Sequence, residues 1–145
     1  FPEPDAILTK TSKILGLDRR KMSKSYNNAI YLSDAPDEIA RKVSQMITDP
    51  QRMRRADPGN PDICNVFEFH KIYSDKETWQ AIDPQCRKAE IGCVECKKIM
   101  AENLVTVMQP LHERRNHFLS KPELVEEISI LTTGKAPTSL SPHIR

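Results

Sequence analysis

The chain of 145 residues is 38% apolar and 29% charged, long enough for one compact domain with its own core and too polar for a membrane protein. Its 22 basic and 20 acidic residues leave a net charge of only +2, so attraction to nucleic acid has to come from local clusters and not from a global field. Phe1-Pro2-Glu3-Pro4-Asp5 has neither the charged start nor the apolar stretch of a secretory signal, and no apolar run approaches a membrane-spanning length. A cytoplasmic location is therefore expected, and a chain that opens in a Pro-rich stretch without Met is expected to be a piece of a longer one.

Residues 1–34 read as irregular chain with short extended pieces such as Ala29-Ile30-Tyr31-Leu32, where β-branched and aromatic residues lie between turn formers. A helix is predicted to open at Pro36, with Glu38 in its first turn and Ile39, Val43, Met46 and Ile47 on one face up to Asp49-Pro50. Gln51 to Pro61 contains Pro58-Gly59-Asn60-Pro61 and three arginines, which predicts an ordered loop with a basic edge. Asn65 to Tyr73 reads as helix; Ser74-Asp75-Lys76-Glu77 has the form of a capping box for a short helix through Trp79, and a second short helix carries Cys86. The longest helix is predicted from Gly92 to about Leu119 on the spacing of Ile99, Met100, Leu104, Val107, Met108, Leu111 and Phe118, with a kink or break at Pro110. One more helix is expected over Pro122 to Leu131, followed by a loose tail from Thr132 to Arg145. The fold class that results is mainly α.

Lys21-Met22-Ser23-Lys24-Ser25 lies between Gly16 and the polar Tyr26-Asn27-Asn28, in a loop where ammonium groups and hydroxyls turn toward a polyanion. Arg19, Arg20, Lys21 and Lys24 would alternatively make only a solvated basic patch. The five loop residues match a signature of class I aminoacyl-tRNA synthetases, and the flanks Gly16-Leu17-Asp18 and Ser25-Tyr26-Asn27-Asn28 resemble the bacterial-type tryptophanyl-tRNA synthetases. The resemblance continues through Ser33-Asp34, Thr48-Asp49-Pro50, Asp57-Pro58-Gly59-Asn60-Pro61, Gly92-Cys93-Val94-Glu95-Cys96-Lys97-Lys98 and Glu113-Arg114-Arg115. It implies the C-terminal portion of an enzyme that uses ATP, Mg²⁺ and tryptophan to charge tRNA(Trp), and that works as a homodimer when complete. Residues 1–34 would then end the catalytic domain with its ATP loop, 35–131 would form a helical-bundle anticodon-binding domain, and 132–145 an irregular tail. The family's α/β nucleotide-binding half, with its tryptophan pocket and His-containing ATP motif, is absent, so this chain alone is expected to be inactive.

Carried onto this sequence, the resemblance makes Lys21 and Lys24 catalytic and Lys21, Met22, Ser23, Lys24 and Ser25 the ATP-binding set: Lys21, Ser23 and Lys24 face the phosphates and Met22 anchors the loop by packing. The chain departs from the family pattern at Arg19, where a glycine is usual, and after about Ile128, where it no longer resembles the final helix.

Cys64, Cys86, Cys93 and Cys96 are spaced Cys-x21-Cys-x6-Cys-x2-Cys. With disulfides disfavoured in a cytoplasmic protein, that spacing leaves zinc, an iron–sulfur cluster or unligated thiols open. A subset of tryptophanyl-tRNA synthetases binds a [4Fe-4S] cluster through a similar pattern whose first gap is one residue longer, which makes the four cysteines candidate metal ligands, with zinc as the alternative. Arg52, Arg54 and Arg55, and separately Arg114 and Arg115, would either neutralise tRNA phosphates or form solvated faces. His70, His112, His117 and His143 form no catalytic set, and Trp79 reads as a core or interface side chain. Two rival readings differ in class: a non-catalytic RNA- or protein-binding module with a metal site, and a small iron–sulfur electron carrier.

Overall fold

A run beginning Pro36-Asp37-Glu38 has the ingredients of a helix start: proline at the first position, where its missing N–H is no loss, and two carboxylates in the positive first turn. In the computed structural model, which describes residues 14–133, this start opens α1 (Pro36–Ser44). α1 stops earlier than its apolar spacing predicts, because the Gln45 N–H turns to the Lys42 and Val43 carbonyls and closes the last turn. Ile39, Val43 and Met46 are nonetheless buried, while Ile47 is exposed.

α2 (Asn65–Tyr73) comes after the arginine-bearing loop and a 3₁₀ turn over Pro61–Ile63. Residues predicted as two short helices form a single α3 (Lys76–Arg87), which accommodates Pro84 within its span. Its cap is not Ser74 but Asp75, whose carboxylate accepts from the Thr78 amide at 2.7 Å and from the Thr78 hydroxyl at 2.7 Å. Ser74 ends α2 instead.

α4 (Cys93–Leu119) runs through Pro110 without a break, so of the kink or break predicted there the break does not occur. Its inner stripe is narrower than the sequence spacing implies: Met100, Leu104 and Met108 are buried, whereas Val107, Leu111 and Phe118 are exposed. α5 (Pro122–Thr133) extends two residues past its expected end, and the tail predicted from Thr132 otherwise lies outside the described residues. The extended pieces expected around Ala29–Leu32 form no strand; among the described residues the one β pairing is an isolated antiparallel bridge between Leu15 and Lys21. The structure is mainly helical, as the apolar periodicity implied.

Two compact units divide the chain, residues 1–108 and residues 109–145. The core of the first gathers Ile39, Val43, Met46, Val66, Phe67, Phe69, Met100 and Leu104, each worth about 1.5–3 kcal/mol of burial. Trp79 packs on its edge with Phe67, ring centroids 6.3 Å apart and nearly perpendicular, as a core-edge aromatic. In the second unit none of the described residues is buried.

The Thr78 hydroxyl and amide hold the Asp75 carboxyl below its ordinary 3.8, so the cap acts fully above about pH 4 and is lost as pH falls through the lowered value. Asp75→Ala is expected to abolish hydrogen-exchange protection of the Thr78 amide at every pH. In the parent that protection should persist at neutral pH and fade only in acid, and amides of α2 should be unaffected by the change.

Candidate functional site

The segment Ile14–Asp34 has almost no regular structure, so side chains have to fix its shape. Its first part is a tight turn: the Gly16 N–H donates to the Arg20 carbonyl at 2.7 Å and the Arg19 N–H to the Gly16 carbonyl at 3.0 Å, with Leu15 and Lys21 bridged across it. Arg19 sits in this turn at φ 65°, a left-handed conformation that favours glycine, which gives a physical meaning to the sequence departure at that position.

Asn28 organises the rest of the segment. Its buried carboxamide oxygen accepts from the Ser23 N–H at 2.8 Å, while its nitrogen donates to Asp18 Oδ1 at 2.7 Å and to the Lys21 carbonyl at 3.2 Å. Its own carbonyl accepts the Leu17 N–H at 2.9 Å. The Asn28 side-chain bond, with help from Arg20, holds the Asp18 carboxyl well below its usual range, at about 2, so the brace keeps its charge at all working pH values. Gly16 makes room for this arrangement: a Cβ there would fall 2.8 Å from the Asn28 carbonyl oxygen and overlap its side chain.

Within the braced segment the charged groups divide into two kinds. Arg20 is engaged, its Nε 2.6 Å from Asp18 Oδ2 and its guanidinium 4.6 Å from the Tyr26 ring centroid. Lys21 and Lys24 are exposed and have no ion pair among the described residues. Met22 packs against the core, and the Ser23 hydroxyl accepts from the Ser25 N–H at 3.3 Å, opening a 3₁₀ turn over Lys24–Tyr26. Lys21, Met22, Ser23, Lys24 and Ser25 thus form a loop anchored by Met22 and Asn28, with Lys21 and Lys24 exposed.

Three elements of the helical part hold that loop. Asn65 at the start of α2 donates to the Gly16 carbonyl at 2.8 Å, and the Ile47 N–H donates to the Leu17 carbonyl at 3.0 Å. At the exit, buried Lys42 of α1 donates to the Ala29 carbonyl at 3.0 Å and pairs with Asp34 at 2.6 Å, 4.4 Å from the Tyr31 ring centroid. Removing one partner of such a buried pair typically costs about 3–5 kcal/mol, so this contact fixes where the loop rejoins the helices.

The four cysteines come from the start of α2 (Cys64), the last turn of α3 (Cys86) and the first turn of α4 (Cys93 and Cys96). Among the described residues no three or more Cys, His, Asp or Glu side chains stand at ligand spacing around one point. The thiols nevertheless share one neighbourhood: burial pushes the Cys64 and Cys86 thiols up, and burial together with the charges of the other three would push Cys96 up to about 12. Arg52 Nη1 lies 3.9 Å from Cys86 Sγ and 3.8 Å from Cys93 Sγ, while its Nη2 donates to the Arg55 and Ile91 carbonyls. Gly59 clears the space, since a Cβ there would come 2.6 Å from Cys86 Sγ. Cys64, Cys86 and Cys96 are thus costly to ionise, and a guanidinium stands beside the sulfurs of Cys86 and Cys93.

Sequence reasoning missed three contributors here. Arg52 faces the sulfurs instead of standing with Arg54 and Arg55 on the basic edge. Buried His70 places Nδ1 2.7 Å from Ser74 Oγ and Nε2 3.2 Å from the Cys96 carbonyl, and Asn103 donates to the same serine hydroxyl at 2.8 Å. Asp49, also buried, accepts from the Gln51 N–H and the Asn60 N–H, both at 2.8 Å, and so pins both ends of the arginine loop. A signal existed for His70 alone: it sits on the apolar face of α2 among Val66, Phe67 and Phe69. Arg54 and Arg55 are exposed around a cavity of about 530 Å³ that also touches Met53, Val94 and Lys98, and Arg114 and Arg115 are exposed in the other unit.

Residues 1–109 match the family of class I tRNA synthetases for tryptophan and tyrosine. The chain is 46% identical to a tryptophan–tRNA ligase of Aquifex aeolicus over 94% of its own length and 35% of the relative's. It is 40% identical to the Thermotoga maritima enzyme of the same name over 94% of its length and 42% of the relative's. Its fold superposes on a tryptophanyl-tRNA synthetase of Campylobacter jejuni, crystallised with ADP and tryptophan, with a TM-score of 0.75 at 26% identity, covering 86% of this chain and 39% of that one. The chain therefore spans well under half the length of these relatives.

The crowding at Gly16 sets an expected outcome: Gly16→Ala displaces Asn28 and destabilises the protein by about 1–3 kcal/mol in urea unfolding. Loss of protection at the Ser23 amide should accompany it, because that amide depends on the displaced carboxamide.

Proposed function

From the chain's membership of the class I tRNA synthetases for tryptophan and tyrosine, we propose that it is part of a ligase that activates tryptophan with ATP and attaches it to tRNA(Trp). The observation that carries the proposal is the pair of exposed ammonium groups of Lys21 and Lys24, without an ion pair among the described residues, on a loop whose backbone is fixed by Asn28. When pyrophosphate leaves the α-phosphate, negative charge builds on its oxygens, and cations placed in advance stabilise that transition state more than the ground state. Lys21 and Lys24 serve this role. The Ser23 hydroxyl, which accepts from Ser25, keeps its own proton to donate to a phosphate oxygen, and Met22 anchors the loop by packing. Mg²⁺ accompanies ATP as its counter-ion.

Residues 1–34 in this reading end the catalytic domain and 35–131 dock tRNA(Trp), with Arg54, Arg55, Arg114 and Arg115 toward its phosphates. The tryptophan pocket lies elsewhere in the full-length protein, which acts in the cytoplasm as a homodimer. A non-catalytic module would leave the two free lysines without a task.

The cysteine group supports a [4Fe-4S] cluster held by Cys64, Cys86, Cys93 and Cys96, with zinc as the alternative occupant. Such a group, when bound, would supply thiolate bonds tying the start of α2, the last turn of α3 and the start of α4 together. Arg52 offsets part of the negative charge of the donor set, and Gly59 keeps the approach to Cys86 open.

In the full-length enzyme, Lys21→Ala and Lys24→Ala are each expected to slow tryptophan-dependent ATP–pyrophosphate exchange by about 100- to 1000-fold. An unchanged rate in the double variant would overturn the catalytic reading. Anaerobically purified protein should contain about four irons per chain with a broad visible absorption, lost in Cys96→Ser. One zinc per chain would replace the cluster by its alternative, and no metal at all would remove both.

A further inference from the structure

Asn65 is out of place by the logic of stability. It is the first residue of α2 and 1% exposed, flanked by buried Cys64, Val66 and Phe67. Its carboxamide nitrogen donates to the Gly16 carbonyl at 2.8 Å, but its oxygen is buried and has no hydrogen-bond partner among the described residues. Flipping the amide does not help, since it would set Oδ1 against the Gly16 carbonyl, acceptor against acceptor. A half-satisfied buried amide costs more than an apolar side chain of the same shape, so folding alone gives no reason for asparagine here.

The far end of the bond supplies a reason. Gly16 opens the tight turn that precedes the phosphate loop, and its neighbour Leu17 is bonded to Asn28, the residue that holds the Ser23 amide and the Lys21 carbonyl. The Gly16 carbonyl also accepts from the Arg19 N–H, so losing Asn65 does not orphan it. The bond spans 49 residues of sequence and joins the root of the loop to the helix whose cap is Cys64.

We propose that Asn65 is a positioning residue for ATP: its amide sets the phosphate loop against the start of α2, so that the placement of Cys64 is transmitted to Ser23, Lys21 and Lys24. The proposal rests on the phosphate-loop reading above. Asn65 touches no substrate and acts only through Gly16 and Asn28.

The test uses the full-length enzyme and Asn65→Leu, which removes both the donor and the unpartnered oxygen while filling similar space. The KM for ATP in pyrophosphate exchange is expected to rise about three- to tenfold, the effect of losing one net hydrogen bond, while the KM for tryptophan and the melting temperature stay near the parent's. Tryptic cleavage after Arg20, Lys21 and Lys24, mapped by mass spectrometry without ATP, should accelerate by a similar factor. A merely structural role predicts instead that both KM values and the melting temperature move together, and that result overturns the proposal, as does unchanged cleavage with an unchanged KM for ATP. Should Asn65→Leu fail to fold, Asn65→Ala is read in the same way. Lys21→Ala and Lys24→Ala run in parallel: exchange lost there but unaffected at Asn65 refutes the positioning role alone, and exchange unaffected in all variants refutes the loop reading with it.

Discussion

A loop without regular secondary structure can hold two lysines at fixed positions only if something other than a backbone ladder fixes its path. Here that task falls to the carboxamide of Asn28, one buried side chain that uses both of its polar ends. Its oxygen takes the amide of Ser23, and its nitrogen reaches Asp18 and the Lys21 carbonyl, so the residues on either side of Met22 are held from beneath. The neighbouring features are conditions on that contact: glycine at 16 because the carboxamide occupies the space of a Cβ, and a carboxylate at 18 that stays charged because it accepts the same amide.

The brace is rooted in the helices. α1 reaches the loop exit through the buried Lys42–Asp34 pair, the chain after α1 reaches Leu17, and α2 reaches Gly16. A segment that would otherwise sample many conformations therefore inherits its rigidity from the apolar core against which Ile14, Leu17, Met22 and Ile30 pack. Positive charge is sorted on the same principle: Arg20, Lys42 and Arg52 are engaged with internal partners, while Lys21 and Lys24 are exposed and have no ion pair among the described residues.

The cysteine group is placed by comparable means. Its four sulfurs come from three helix ends, and the guanidinium that faces them is carried by a loop that Asp49 pins at both ends. His70, bonded to the Cys96 carbonyl and to Ser74, supports the start of α4 from α2, and burial lowers its pKa so that it stays neutral in this role. α2 borders both places, with Cys64 at its cap and Asn65 beside it.

The sequence by itself determined the helical class, the start of α1, the span of α2 and the length of α4, because periodicity and capping chemistry are local. It misjudged Ser74 as the cap of α3 and the division of α3, and of the kink or break it placed at Pro110 no break forms, because a helix can carry a proline that propensity alone would exclude. Tertiary structure alone decided that Arg52 turns inward, that Asp49 is buried, and that Asn28 and Asn65 grip the loop. Those choices depend on which polar groups meet after distant segments have packed, and a buried donor and its acceptor can lie 49 residues apart with nothing local to mark either one.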